Sequence, residues 1–355
     1  NPSKGDNSKL SIEISSKLYD LLIRPFEKEL KGIDRLVIVP DSILSGIPFS
    51  ILNNSEGKSV SGKLNYIDTS STRGIDRVHA NILVPNIGKD NWLINEFAIS
   101  IVPSIYSYIE SAKLAKIRVN TKNSFIGIGN PSLSGTIKQV DKEILRAYVN
   151  TRGTVSNFVS EMTPLPETEI ELTQIAKEFS RADLILGKDA TEKNLKAIDL
   201  SQYGVVSFAT HALVSNEIEG IVEPSLVLTP VDENNPNNDG LLTASEISNL
   251  KLDADIVLLS ACNTASSFGE SNSQGLSGLA NSFFNAGARS LLVSYWSVIS
   301  ESAVDITTRI FKPSNEGRSY AHKHRNAVLD LLKNSKDTYK LRPSYWAPFS
   351  VIGVN

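Results

Sequence analysis

Asp255-Ile256-Val257-Leu258-Leu259-Ser260-Ala261-Cys262-Asn263-Thr264 is an apolar run that ends in two small residues and a thiol. A run this short and branched reads as a buried strand emerging from a sheet. The same grammar occurs earlier with an imidazole in the last place, in Val205-Val206-Ser207-Phe208-Ala209-Thr210-His211. Two chemically reactive side chains, each delivered by the end of a hydrophobic strand, set the reading of everything around them.

Outward from these two strands the pattern is regular. Helical periodicity over Glu167–Phe179 places Ile170, Leu172, Ile175, Ala176 and Phe179 on one face. Leu184–Leu186 reads as a strand, Thr191 as the cap of a short helix to Ile198, and Ser225–Thr229 as a further strand. Thr243 starts a helix through Ile247, Gly287 stops one that runs from about residue 276 to 285, and Ser290–Ser294 is a strand. Helices near Glu301–Phe311 and Tyr320–Lys333 follow, and Trp346–Val354 reads as the last strand. In the first part, Ser16–Leu30 reads as an amphipathic helix that turns Leu18, Leu21, Leu22, Phe26 and Leu30 to one side. Short strands are expected at 36–39, 97–102 and 125–129, with a helix over 104–116. Residues 53–92 form a long polar excursion, and 132–165 a linker or insertion. Strands alternating with helices predict an α/β fold, a mostly parallel sheet with helices on both faces. In such sheets functional groups collect beyond the carboxyl ends of the strands, the position of both His211 and Cys262. At 355 residues the chain exceeds the size of a single growing core, and two units are expected, 1–160 and 161–355.

Charge narrows the partners little. A net charge of −3 gives no general attraction to nucleic acid or to an anionic membrane. No run of about 18 apolar residues offers a membrane span. A single cysteine excludes an intramolecular disulfide framework and fits a reducing, cytoplasmic compartment. The start, Asn1-Pro2-Ser3-Lys4-Gly5-Asp6, reads as the polar beginning of a shortened or processed chain.

A thiol is a modest nucleophile at neutral pH and its thiolate a strong one, and a neighbouring imidazole supplies the base. A single cysteine is more often a small buried hydrophobe; its pairing with His211 in matched strand-end contexts favours catalysis. His79 lies beside the polar excursion, and His322 and His324 on a Lys/Arg-bearing helix read as solvated. Four histidines and one cysteine at these spacings form no zinc pattern, and no cofactor is expected. Gly127-Ile128-Gly129-Asn130 reads as a strand-ending turn rather than a phosphate loop. Glu217 and Glu219 are available to orient the imidazole, and Trp296 fits a substrate pocket or the core equally well.

The stretches Phe208-Ala209-Thr210-His211, Asp239-Gly240-Leu241-Leu242-Thr243-Ala244-Ser245-Glu246-Ile247 and Leu258-Leu259-Ser260-Ala261-Cys262-Asn263-Thr264 resemble the CHAT domain. So do Gly275–Ala280, Gly287-Ala288, Tyr295–Val298 and Tyr345–Phe349, with Leu36–Asp41 and Ile47–Phe49 in the first half. That family is a branch of the caspase–separase group of cysteine peptidases, often found behind TPR repeats. The 51-residue separation of His211 and Cys262 matches the caspase spacing of about 50.

The resemblance implies a caspase-like sheet in which a degenerate N-terminal half packs on an active C-terminal half. It implies a Cys262–His211 dyad that cleaves a protein substrate, with the backbone amides of Ala212 and Cys262 as oxyanion donors. In the group the residue after the histidine is commonly glycine, where this chain has Ala212. In separase-like relatives the segment after Tyr295–Val298 carries acidic residues that read a basic substrate side chain. Here Glu301 or Asp305 are available for that role, Ser300 departs from the acidic pattern, and an apolar pocket floor that selects Leu or Met is the alternative. An upstream TPR or other module, or an activator complex, is the implied regulator. The alternatives are a non-catalytic caspase-like scaffold and a small-molecule thiol hydrolase or acyltransferase using the same pair.

Overall fold

The computed structural model describes residues 7–55, 91–109, 113, 123–133, 162–213, 223–231, 238–260, 278–296, 298, 300–315 and 317–354. Eight strands form one sheet. Their spatial order is β1 (Arg35–Ile38), β2 (Ala98–Ile101), β11 (Phe349–Gly353), β10 (Ser290–Ser294), β9 (Ile256–Leu259), β5 (Val205–Ala209), β3 (Ser124–Pro131) and β4 (Arg181–Gly187). Every neighbouring pair is parallel except β10 and β11. The sheet therefore consists of two parallel blocks of opposite direction that meet at that one antiparallel seam. β3, which precedes residue 160, pairs with β4 and β5, which follow it.

The strands alternate strictly, as a sheet covered on both faces requires. Ile126, Ile128, Val206, Phe208, Val257, Leu259, Leu291 and Val293 face one core, with Ile247 and the Gly278–Ala286 helix. Phe125, Val205, Ala209, Ile256, Leu258 and Leu292 face the other, where the helices Glu167–Ala176, Ser300–Ile310 and Tyr320–Asn334 pack. The mixed α/β architecture expected from the sequence, a largely parallel sheet flanked by helices, is the one observed.

Local signals place the ends of elements. Thr191 accepts from the amide of Asn194 at 3.1 Å and starts the Glu192–Lys196 helix. Thr243 and Glu246 form a reciprocal capping box at the head of the Ala244–Ser248 helix. Gly287 ends the Gly278–Ala286 helix at φ +111°, where a Cβ would stand 2.3 Å from the carbonyl oxygen of Leu252. A second, three-stranded antiparallel sheet, β6 (Ala212–Leu213), β7 (Ser225–Val227) and β8 (Leu241–Thr243), extends from the end of β5.

Several expectations are corrected. The first helix spans Asn7–Leu22 and gives way to a 3₁₀ turn over Arg24–Phe26. Pro25 has no amide to continue the helix, and the turn carries Phe26 outward. Leu21 is 71% exposed, and the inward stripe runs through Ser15, Tyr19 and Ile23, four residues apart. Ile170 is 55% exposed, because the buried stripe of its helix is Thr168, Glu171, Leu172 and Ile175. Pro343 opens a short helix to Trp346, so the last strand begins only at Phe349. His324 is buried rather than solvated. The ends of the polar excursion are joined by a bridge between Asn53 and Trp92. Residues 56–90, the second part of the expected 104–116 helix apart from residue 113, and most of 132–165 lie outside the described residues, while 105–109 are helical as expected.

Candidate active site

Parallel pairing brings the carboxyl ends of β5 and β9 side by side. The register sets Phe208 against Leu259, and the amide of Ser260 donates to the carbonyl of Phe208 at 3.0 Å. His211 lies three residues beyond Phe208, and Cys262 three residues beyond Leu259. Cys262 itself, with Glu217, Glu219 and His79, lies outside the described residues.

The end of β5 is held firmly. Thr210 is buried, and its hydroxyl donates to the carbonyl of Val227 at 2.5 Å. The amide of Val227 donates to the carbonyl of His211 at 2.9 Å. The imidazole is half-buried, and its Nε2 lies 2.8 Å from the carbonyl oxygen of Thr163. A carbonyl can only accept, so the ring proton sits on Nε2, and in the neutral ring Nδ1 is the nitrogen available as a base.

Ala212 pairs with Leu226 across β6 and β7. The bond from Val227 to His211 makes this the wide, non-hydrogen-bonded type of antiparallel pair. The amide of Ala212 is therefore not taken up by the β6–β7 ladder.

β10 runs parallel to β9, so its carboxyl end, with Tyr295 and Trp296, reaches the same edge of the sheet as His211. Trp296 is half-buried and packs against both cores. Glu301 and Asp305 follow on the next helix. Asp305 receives hydrogen bonds from Arg309 at 2.7 Å, Lys340 at 2.8 Å and the Tyr345 hydroxyl at 2.8 Å. Burial works to raise its pKa, but hydrogen bonds from Lys340, Arg309 and Tyr345 together hold it below the usual carboxylate range.

One group at this edge carries no sequence-level assignment. Glu171 is 1% exposed, and its Oε1 accepts from Ser260 Oγ at 2.7 Å and from Thr307 Oγ1 at 3.0 Å. Burial pushes its carboxyl up to about 7, against the hydrogen bonds from Ser260 and Thr307. Its place in the sequence held a usable signal. Thr168, Glu171, Leu172 and Ile175 have the spacing i, i+3, i+4, i+7 of a single helix face. Among the described residues no group of three or more His, Cys, Asp or Glu is placed to hold a metal ion, and no helix is long and apolar enough to cross a membrane.

A family model described as the CHAT domain matches residues 13–354. Tetratricopeptide repeat protein 28 of Mus musculus is 24% identical over 393 residues, and the alignment takes in 95% of this chain and 13% of that protein. The Homo sapiens protein of the same name is 24% identical over 394 residues, with the same coverage. The chain thus spans about an eighth of the length of these relatives. Among solved structures, the Arg-specific cysteine proteinase gingipain R is similar at a TM-score of 0.50 and 10% identity, over 95% of this chain and 66% of that one. At that identity the likeness concerns the fold alone.

Proposed function

The chain belongs to the CHAT domain family, and from that premise we propose that it is a cysteine endopeptidase acting through Cys262 and His211. The observation that carries the reading is the register of β5 and β9. Adjacent parallel strands with Phe208 opposite Leu259 end side by side, and the chain reaches His211 three residues past the one and Cys262 three residues past the other, which supports a shared site at this edge of the sheet. In the proposed reaction the Cys262 thiolate attacks a peptide carbonyl. Nδ1 of His211 takes up the thiol proton and returns it to the leaving amine, while Nε2 stays anchored on Thr163. The amide of Ala212, unused by its ladder, and that of Cys262 are the proposed donors to the tetrahedral oxyanion. Trp296 is proposed to line the substrate cleft, beside a segment whose acidic residues are Glu301 and Asp305.

A protein substrate and control by a helical-repeat module or an activator complex complete the proposal. The repeat module draws its support from the name and greater length of the TPR-containing relatives. A reducing, cytoplasmic setting suits a chain whose one cysteine must remain a thiol.

A peptide library presented to the wild type, Cys262→Ala and His211→Ala tests this directly. The wild type is expected to cleave a restricted set of bonds, and each variant to lose at least a thousandfold in kcat/KM. Equal cleavage by wild type and Cys262→Ala would remove the thiol from the mechanism. A wild type that cuts nothing, and whose thiol reacts like free cysteine, would favour the scaffold reading.

A further inference from the structure

Glu171 is the buried titratable group that the dyad does not use. The helix carrying it is seated on the sheet with little freedom. Leu172 packs so closely over β3 that a Cβ at Gly129 would stand 2.7 Å from its side chain, and one at Gly127 2.9 Å. The head of the helix is tied to the end of β3 as well. Thr168 Oγ1 accepts from the amide of Asn130 at 2.9 Å, and Glu169 from the Asn130 side chain at 3.0 Å. From this fixed base the Glu171 carboxylate reaches 2.7 Å to Ser260 Oγ and 3.0 Å to Thr307 Oγ1. The same Thr307 hydroxyl lies 2.7 Å from the carbonyl of Ala303 one turn back, so its single proton is shared between that carbonyl and Glu171.

Ser260 is the point at which the chain leaves β9. Its amide is bonded to β5 through Phe208 and its hydroxyl to Glu171. Burying a carboxyl without a charged partner is costly. Two hydroxyls from separate elements nevertheless converge on one oxygen of this acid.

We propose that Glu171 is a positioning residue for the candidate nucleophile: through Ser260 it fixes where the chain departs from β9, and so the placement of Cys262 relative to His211. The inference rests on the dyad reading and adds to it a residue distant in sequence. The carboxyl touches neither substrate nor thiol; it acts through Ser260. Backbone bonding alone would leave Ser260 free to pivot about its amide, and the second bond removes that pivot.

Cys262 is the chain's only cysteine, so alkylation of the intact protein reports on this one thiol. The experiment measures the iodoacetamide rate of wild type, His211→Ala, Glu171→Ala, Glu171→Gln and Ser260→Ala across pH 5–10. A thiol held beside the imidazole reacts at lower pH than a free one. The expected result is that Glu171→Ala shifts the profile upward in the same direction as His211→Ala and slows alkylation at neutral pH about three- to tenfold. That range follows from a lower thiolate fraction, partly offset by higher intrinsic nucleophilicity. Ser260→Ala, which removes the same bond from its other end and leaves the carboxyl with Thr307, is expected to shift the profile the same way by less. Glu171→Gln keeps the acceptor and the volume and is expected to retain most of the wild-type profile.

A profile moved by His211→Ala and unmoved by both Glu171→Ala and Ser260→Ala overturns the positioning role and leaves the dyad standing. If Glu171→Ala does not fold, Ser260→Ala alone decides between these outcomes. A profile unmoved by His211→Ala overturns the dyad, and the positioning role with it. A role limited to stability would lower the melting temperature of Glu171→Ala without moving the alkylation profile.

Discussion

Lys340 donates to Asp305 at 2.8 Å, and the same ammonium lies 2.6 Å from Glu301. One cation of the chain therefore joins both acidic residues of the helix that follows β10. Arg309 and the Tyr345 hydroxyl complete the set around Asp305, leaving Glu301 as the more exposed of the two acids. Replacing Lys340 by Met is expected to release Glu301 from its only strong cationic neighbour in this set. If the segment reads a basic substrate side chain, kcat/KM for an Arg- or Lys-bearing peptide should rise several-fold relative to a Leu-bearing one. An unchanged ratio would remove both acids from specificity.

The same cluster predicts an acid sensitivity. Asp305 titrates below its unfolded value, so its ionised form contributes stability that is present above about pH 4 and is lost as pH falls further. Asp305→Asn should lower the melting temperature at pH 7 and narrow the gap to wild type in stronger acid. A constant difference across that range would show that the ionised carboxylate is not what stabilises the site.

Glu171 predicts the opposite slope. Its pKa is raised in the folded state to about 7 from an ordinary value of 4.5. Between those values the folded state holds a proton that the unfolded chain has lost, so stability declines as pH rises from about 4.5 to 7 and levels off above. Glu171→Gln abolishes that decline. Relative to wild type, the variant should gain stability over this window by up to about 3 kcal/mol. Parallel stability curves for the two proteins would contradict the assignment.

His324 supplies a third pH dependence. It is 4% exposed on the Tyr320–Asn334 helix, and burial pushes its pKa down to about 4 from 6.5. The unfolded chain binds a proton at a pH where the folded state refuses it, so stability falls as pH drops from 6.5 toward 4. His324→Leu should flatten that loss, measured as the difference in denaturant midpoint between pH 7 and pH 4.5. An unaltered loss would mean the imidazole is reached by solvent.

Gly287 allows a prediction about the backbone. Its φ of +111° and the 2.3 Å approach to the Leu252 carbonyl leave no space for a methyl group. Gly287→Ala is expected to cost more than the ~1 kcal/mol ordinary for such a change, because both the conformation and the contact resist it. A melting temperature equal to wild type would require the turn to be rebuilt.

Much of the molecule is legible from local pattern. Ile256–Leu259 and Ser290–Ser294 are observed with the limits read from the sequence, since buried strands announce themselves as short branched runs between polar breaks. Thr191, Thr243 and Gly287 act where their capping chemistry placed them. What local pattern does not carry is long-range convergence. Pro25 marks the end of the first helix in the sequence itself, but local pattern does not show that Tyr19 and Ile23, rather than Leu21, face the core. The helical spacing puts Glu171 on the face of Leu172 and Ile175, but its partners Ser260 and Thr307, remote in sequence, are not legible locally. His324 sits among charged neighbours, yet only the sheet beneath its helix decides that it is buried. The candidate site divides the same way: strand ends were legible, and the hold of Thr163 on the imidazole was not.

The antiparallel seam has a consequence for how the molecule is made. β11 follows every other strand along the chain, yet it lies between β2 and β10 in the middle of the sheet. During synthesis the early pair β1–β2 has no lateral neighbour until Phe349–Gly353 leaves the ribosome. The strands carrying His211 and leading to Cys262 can pair with each other well before that moment. The order of emergence thus separates pairing of β5 with β9 from closure of the sheet, and a nascent chain that has emerged only as far as β10 would hold the former without the latter.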